Sequence, residues 1–317
     1  MKKEVVVGID TSNYTTSFAI ISTDGELVAN LKRPLPVKAG ERGLRQSDAV
    51  FAHVKNIPDI INEAREYLAD SRIVAVGVSE RPRNVEGSYM PCFLTGVAQA
   101  ESIGATNQVP LYKYSHQCGH MMAAIFSSGS FDLLDKEFLA YHVSGGTTEM
   151  LSVKYNGTDF ESNLIGGTAD LNAGQLIDRV GVYMGLSFPC GREMEALALE
   201  SAEYKGAKRP KVTDFKVNLS GIENQAVKLF DECGDKSTVS AFVFDNVGKA
   251  LIALTDSYFE KNGERDLLFA GGVMSNGIIK KMISDKYNAS FAEPMLSADN
   301  AVGVAYLAYK RYIAEKK

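Results

Sequence analysis

Cysteine is sparse in this chain: Cys92, Cys118, Cys190 and Cys233 stand far apart, and no two form a Cys-x-x-Cys pair. That scatter excludes a disulfide framework or a zinc ribbon and predicts reduced thiols. Positive charge is also short. A net charge of −5 argues against tight, autonomous nucleic-acid binding, which needs a basic surface to displace counterions. Basic clusters at Lys205–Lys211 and in the tail from Lys310 to Lys317 read either as phosphate-touching patches or as solvated surface. No apolar run approaches the length of a membrane span, and Met1-Lys-Lys-Glu4 leads directly into a strand without a signal segment. The expectation is a cytoplasmic protein with no membrane contact. What is abundant is core material. A chain of 317 residues, 45% of them apolar, exceeds one ordinary core and can fill two.

Of four histidines, two stand four residues apart as His116 and His120. On a helix that spacing puts both imidazoles on one face, where they can share a metal ion. Met121 to Phe126 supply helix formers and an apolar stripe after the strand-like Val109-Pro-Leu-Tyr112. A packed or capping pair is the bland alternative, because two ligands are half a site. Near the C-terminus, Ser297-Ala-Asp-Asn300 opens a final helix, so Asp299 is either its cap or a third ligand.

Three small, polar turns follow strands. In Val5-Val-Val-Gly-Ile-Asp10-Thr-Ser-Asn-Tyr-Thr-Thr16, a β-branched run meets a hydroxyl-rich tip and a second apolar strand returns. Such a tip either is an ordinary hairpin or cradles phosphate with Thr11, Ser12, Thr15 and Thr16, Asp10 holding a cation or its water. In Phe138 to Val153 the pattern recurs. Ser144, Gly145, Gly146 and Thr147 there let phosphates approach the backbone closely. Two such turns, each opening a new region of chain, look like an internal duplication. The third turn, Ala270-Gly271-Gly272, ends a buried-type strand and enters a helix, an arrangement that binds ligands in α/β folds. Asn276 either caps that helix or contacts a nucleotide. Between these turns, Ala173 to Met184 has helical spacing with Gly185 as its stop, and Asp178 falls inside it beside Arg179.

In this order, hairpin turn, His-x-x-x-His, Ser-Gly-Gly, Ala-Gly-x-x-x-Asp, Pro-x-Gly, Ala-Gly-Gly-Val-x-x-Asn and Asp-Asn-Ala, the chain resembles the TsaD-like threonylcarbamoyltransferase family over nearly its whole length. These tRNA threonylcarbamoyladenosine synthases were once called O-sialoglycoprotein endopeptidases. The resemblance implies an α/β fold of the actin-like ATPase (ASKHA) type: two lobes of duplicated RNase-H-like mixed sheets flanked by helices, with nucleotide in the cleft. Its lobes would be residues 1–112, completed by the C-terminal helix 299–317, and residues 113–298, which would hold the metal and nucleotide. It implies a divalent metal, iron or zinc, on His116, His120 and Asp299. It also implies ATP or threonylcarbamoyl-adenylate as nucleotide ligand. Val143, Ser144, Gly145, Gly146 and Thr147 would line the phosphates, Asp178 and Gly191 the ribose, and Gly271, Gly272 and Asn276 the third turn. Asp10 and Ser144 are the catalytic candidates, with Thr11 and Ser12 beside them.

The implied reaction moves a threonylcarbamoyl group from its adenylate to N6 of adenosine 37 in tRNA, with a protein partner or second copy supplying part of the tRNA grip. Departures from the family pattern point to a divergent paralogue. Asn13, Tyr14 and Thr15 replace the usual acids of the first turn, Thr147 replaces a histidine, and Pro189-Cys-Gly191 replaces Pro-Gly-Gly. Gly166-Gly-Thr-Ala-Asp-Leu-Asn-Ala-Gly-Gln175 lacks three carboxylates, at 167, 171 and 175, while Asp170 and Asp178 survive. A carboxylate that orients or deprotonates a nucleophile is worth roughly 10²–10⁴-fold. Two alternatives therefore stand beside the tRNA enzyme: a carbamoyltransferase with another acceptor, and a non-catalytic nucleotide-binding partner of an active subunit. A protease finds no support, since no serine or cysteine has a recognisable base partner.

Overall fold

The computed structural model describes residues 2–12, 14–36, 44–201 and 209–316. The chain divides into two compact units, 1–134 with 155–161 and 298–317, and 135–154 with 162–297. In unit 1, the Val-rich run of β1 (Lys3–Ser12) pairs antiparallel with β2 (Thr15–Ser22), which pairs antiparallel with β3 (Leu27–Pro34). After α1 (Gln46–Leu68), β4 (Ser71–Arg81) joins β1 in parallel. After α2 (Phe93–Asn107), β5 (Leu111–Ser115) extends the sheet in parallel and runs directly into α3 (His116–Ser128). The order is β3-β2-β1-β4-β5.

Both faces of this sheet are covered. Val5, Val7, Ile9, Ile20, Val76 and Val78 form a core with Ile60, Ala64 and Ala100 from α1 and α2. Glycine lets the other face take a helix at close range. A Cβ at Gly8 would stand 2.6 Å from the Ala301 carbonyl, and one at Gly77 would stand 2.3 Å from that of Val304. The C-terminal helix Val302–Glu315 therefore lies almost on the backbones of β1 and β4.

Unit 2 repeats the plan. β6 (Phe138–Val143) pairs antiparallel with β7 (Thr148–Tyr155), which neighbours β8 (Phe160–Thr168). After α4 (Ala173–Tyr183) and α5 (Gly191–Glu200), the short β9 (Lys216–Val217) adds to β8 in parallel. After α6 (Ser220–Cys233) and α7 (Lys236–Asn262), β10 (Leu267–Ala270) joins β6 in parallel. After α8 (Gly277–Ser284), β11 (Ala289–Phe291) closes the parallel edge. Leaving β9 aside, β8-β7-β6-β10-β11 has the connectivity of the first sheet. The paired hairpins read from the sequence are thus the openings of two duplicated mixed α/β sheets.

Two expectations shift. The compact units do not part at residue 112: β5 and α3, with both candidate metal-binding histidines, sit in unit 1. The reason is packing, because α3 is clamped to the C-terminal helix at Gly119 and Gly303. In addition, α7 is long and apolar enough to cross a membrane by composition alone. Some 72% of its apolar stretch is buried, as in a core helix of unit 2.

Candidate functional site

Helix α3 begins where Ser115 accepts a hydrogen bond from Cys118 N–H at 3.1 Å, and it ends at Gly129 in the left-handed conformation. Its first two turns carry His116 and His120, whose Nε2 atoms lie 3.0 Å apart. Asp299, in the segment leading into the C-terminal helix, places Oδ1 3.5 Å from each of them. Asp299 is not the helix cap. Ala301 holds the cap position, and Asn300 Oδ1 accepts from Val302 N–H at 2.9 Å. Ligand atoms of His116, His120 and Asp299 all lie within 4.8 Å of one another. Two imidazole nitrogens and one carboxylate suit zinc or ferrous iron and leave positions open on the ion, as a catalytic rather than structural site requires.

Asp10 stands behind this triad. Its Oδ2 is 2.8 Å from His116 Nδ1 and also accepts from Ser79 Oγ, while Oδ1 accepts from Ser12 N–H at 2.9 Å. A carboxylate on Nδ1 fixes the ring and leaves Nε2 for a ligand. Asp10, expected as a catalytic group or cation holder, is committed here to His116, Ser79 and the Ser12 backbone, contacts that suit holding the ring in place. The same carboxylates also set the charge of the ring. Burial opposes charge on His116, but the carboxylates of Asp10 and Asp299 win and lift its pKa to about 10. Burial also opposes charge on Asp299, and the two histidines hold its carboxyl well below the usual range. His120, buried and beside a charged His116, is pushed down.

The first turn differs from its reading as a display of hydroxyls. Thr11 is buried, donating to the Cys92 carbonyl and accepting from Gly96 N–H, both at 3.0 Å, so it ties β1 to the start of α2. Ser12 is buried, and its hydroxyl has no partner among the described residues. Thr16 pairs with His53 Nδ1 at 2.8 Å. Thr15 is half-buried, and Asn13 lies outside the described residues.

The second turn is open. Gly145 and Gly146 are exposed, and a Cβ on either would meet nothing within 4 Å. Ser144 is its internal anchor: Oγ accepts from Gly146 N–H at 3.2 Å and Thr147 N–H at 3.1 Å and lies 2.9 Å from Thr147 Oγ1. Val143, by contrast, is fully buried beneath it. Helix α4 starts against this turn, with Gly174 N–H on the Ser144 carbonyl at 3.2 Å. A side chain at 174 would strike Gly145 N at 2.6 Å. Asp178 of α4 accepts from Cys190 N–H at 2.8 Å, fixing the turn that precedes Gly191, and burial raises its pKa. At the third turn, Gly271 adopts φ +99° and Gly272 leads into a single 3-10 turn. Asn276 caps α8 through Oδ1, 2.9 Å from Ile279 N, while its buried Nδ2 has no partner among the described residues.

The profile of the tRNA N6-adenosine threonylcarbamoyltransferases (TsaD) matches residues 38–306. The chain belongs to this family. Relatives so named in Streptococcus sanguinis and Streptococcus gordonii are each 28% identical, over 99% and 96% of this chain and 94% and 92% of theirs. Among solved structures, component A of the Acidaminococcus fermentans (R)-2-hydroxyglutaryl-CoA dehydratase superposes with TM-score 0.55 at 16% identity. It covers 98% of this chain and 99% of its own. T. kodakarensis HypF superposes with TM-score 0.57 at 11% identity over 99% of this chain and 48% of its own. These likenesses establish the actin-like ATPase architecture, and family membership places the chain among tRNA threonylcarbamoyl transferases in general.

Against the family pattern, the surviving Asp170 is structural in its contacts. It accepts from Leu171 N–H at 2.6 Å, Leu219 N–H at 2.8 Å and Ser220 Oγ at 2.5 Å, tying the β8–α4 connection to the start of α6. Of the basic clusters, residues 205–208 and Lys317 lie outside the described residues. Arg209 pairs with Asp256 at 3.1 Å, and Arg311 and Lys316 pair with Glu315 and Glu4 at 2.9 and 3.2 Å. Sequence reasoning missed three groups near these sites. Ser79 supports Asp10. Lys32 is held down by burial while the Asp299 charge acts to raise it. His142 reaches Thr147 Oγ1 at 3.3 Å. Its only sequence signal was an ionisable residue in the otherwise apolar strand Phe138–Val143.

Proposed function

We propose that this chain transfers a threonylcarbamoyl group from an acyl-adenylate to N6 of an adenosine in tRNA, using a divalent metal, iron or zinc, held by His116, His120 and Asp299. The observation that carries the reading is the meeting of these three side chains with Asp10 behind His116. In the reaction, the adenosine amine attacks the carbamoyl carbon, the carbon–oxygen bond to phosphate breaks, and AMP leaves while N6 loses a proton. A bound divalent ion would supply Lewis-acid polarisation of a substrate oxygen. Asp10 keeps Nε2 of His116 facing the ligand position. Gly145 and Gly146 leave backbone open to phosphate, Asp178 steadies the turn at Gly191, and Asn276 Nδ2 offers a buried donor to the nucleotide. The reading includes a cytoplasmic setting and a protein partner, or a second copy, that contributes to tRNA binding.

The test is a transfer assay with metal-replete protein, threonylcarbamoyl-adenylate and unmodified tRNA, with and without cell extract. Modified adenosine that disappears in the His116→Ala/His120→Ala variant is the expected result. AMP release without modified tRNA would replace the acceptor with another molecule. Nucleotide binding with neither product would make the chain a non-catalytic partner.

A further inference from the structure

The β1–β2 hairpin turns at residues 13 and 14, between the paired Ser12 and Thr15. Tyr14 is held there by its backbone: its carbonyl accepts from Leu35 N–H at 2.8 Å, which ties the tip to the end of β3. The side chain takes no part in that hold. It is 44% exposed and has no hydrogen-bond or ring partner among the described residues. A single exposed aromatic is ordinary on a protein surface, and what sets this one apart is its place. Strand β1 leads to the tip from Asp10, which lies on His116 Nδ1, and at about 3.3 Å per residue the turn begins roughly 10 Å beyond it. The Asp299 carboxylate acts electrostatically on Lys32 of β3, whose register partner Ser17 lies two residues after Thr15. The candidate metal cluster therefore stands toward the hairpin end of this sheet. From Thr11 to Ser17 no side chain is charged, and Tyr14 is the one aromatic.

We propose that Tyr14 is the stacking platform for the acceptor: its ring receives the adenine whose N6 is to be modified and holds that amine toward the cluster of His116, His120 and Asp299. This rests on the tRNA acceptor proposed above and adds to it a residue of this chain's own. An exocyclic amine inside a stacked strand cannot reach a carbonyl carbon, so the base has to be turned out, and a base turned out needs a new face to lie on. An aromatic side chain supplies that face without charge. Acids at positions 13–15, as in the family pattern, would repel the phosphates that flank the base. With Asn13, Tyr14 and Thr15 that repulsion is gone and a face is present. Stacking is also an affinity that a chain of net charge −5 can supply without a basic surface.

The chain has no tryptophan, so Tyr14→Trp installs a single indole whose fluorescence a stacked base quenches. The probes are an unmodified tRNA anticodon stem-loop and the same RNA with an abasic site at the acceptor position. The intact RNA should quench the indole, and the abasic RNA should not. In binding measurements on the full chain at low salt, Tyr14→Ala should weaken the intact RNA roughly tenfold and leave the abasic RNA unchanged. Tyr14→Phe, which keeps the ring, should recover the loss. Equal losses on both RNAs, equal quenching by both, or an unaltered chain that does not distinguish them would overturn the proposal. So would a Tyr14→Ala variant that modifies less tRNA in cell extract while binding RNA normally, which would make Tyr14 a contact for another protein. If the unaltered chain modifies tRNA and Tyr14→Ala does so with the same KM, the proposal fails alone. If the unaltered chain neither binds the RNA nor modifies tRNA, the tRNA reading fails and takes this proposal with it.

Discussion

Gly303 rests against Gly119 so closely that a Cβ at 303 would lie 1.8 Å from the Gly119 carbonyl oxygen. Gly119 stands between the two histidines of α3, and Gly303 follows Asp299 by one turn of chain, so this contact sets how far the carboxylate stands from the imidazoles. Gly303→Ala has no side-chain rotation that avoids the clash, and the helix must move. The expected result is a destabilisation of about 1–3 kcal/mol, or more, together with metal binding well below one equivalent. Thermal melting and metal analysis of the purified variant check both. Normal metal content would show that the spacing tolerates the shift.

Asp10→Asn keeps the shape of the group behind His116 but removes its charge. An amide donor on Nδ1 would favour the tautomer that puts the imidazole proton on Nε2, where the ligand should bind. Metal affinity should fall by roughly 10–100-fold, measured by competition with a chelator. Ser79→Ala, which removes only a donor to Asp10, should cost less.

Thr11→Val tests the buried side of the first turn. The change is close to isosteric, but it strands the Gly96 N–H and leaves the Cys92 carbonyl with Thr95 alone, whose hydroxyl donates at 2.6 Å. A loss of about 1–3 kcal/mol in urea unfolding is expected. A loss near zero would mean that these backbone groups find other partners.

Asp170 gives the unit 2 fold an acid limb. Burial raises its pKa, but hydrogen bonds from Ser220, Leu219 and Leu171 outweigh this and hold it below the ordinary value of 3.8. A carboxyl depressed in the folded state stabilises above its unfolded pKa, and that contribution drains away as pH falls through the folded value. Unfolding free energy should therefore decline below about pH 4. Asp170→Asn should flatten that decline and cost about 1 kcal/mol at neutral pH, the group being largely exposed and screened. Parallel slopes for both proteins would place the acid sensitivity elsewhere.

The parts of this architecture readable from sequence were the local ones. The four-residue spacing of His116 and His120, the stop at Gly185 after α4 and the β-branched runs before each glycine turn need only neighbours along the chain to be understood. What could not be read was depth and distance. Thr11 looks like a turn hydroxyl until α2 packs over it, and its partners Cys92 and Gly96 lie 81 and 85 residues away. Asp10 meets His116 across 106 residues, so its orienting part was invisible in a pattern that offered it as a cation holder. The unit boundary was misplaced for a related reason. A helix beginning with the candidate metal-binding pair looks like the start of something new, but its packing partner is the helix Val302–Glu315.

That partnership has a consequence for how the protein is made. Glycines 8 and 77 reserve a place for a helix made long after every strand of their sheet, and Asp299 travels just ahead of it. A nascent chain that has finished every strand of the first sheet still has an uncovered face and two histidines without their carboxylate. Assembly of the candidate cluster therefore reports that translation has passed the whole of unit 2.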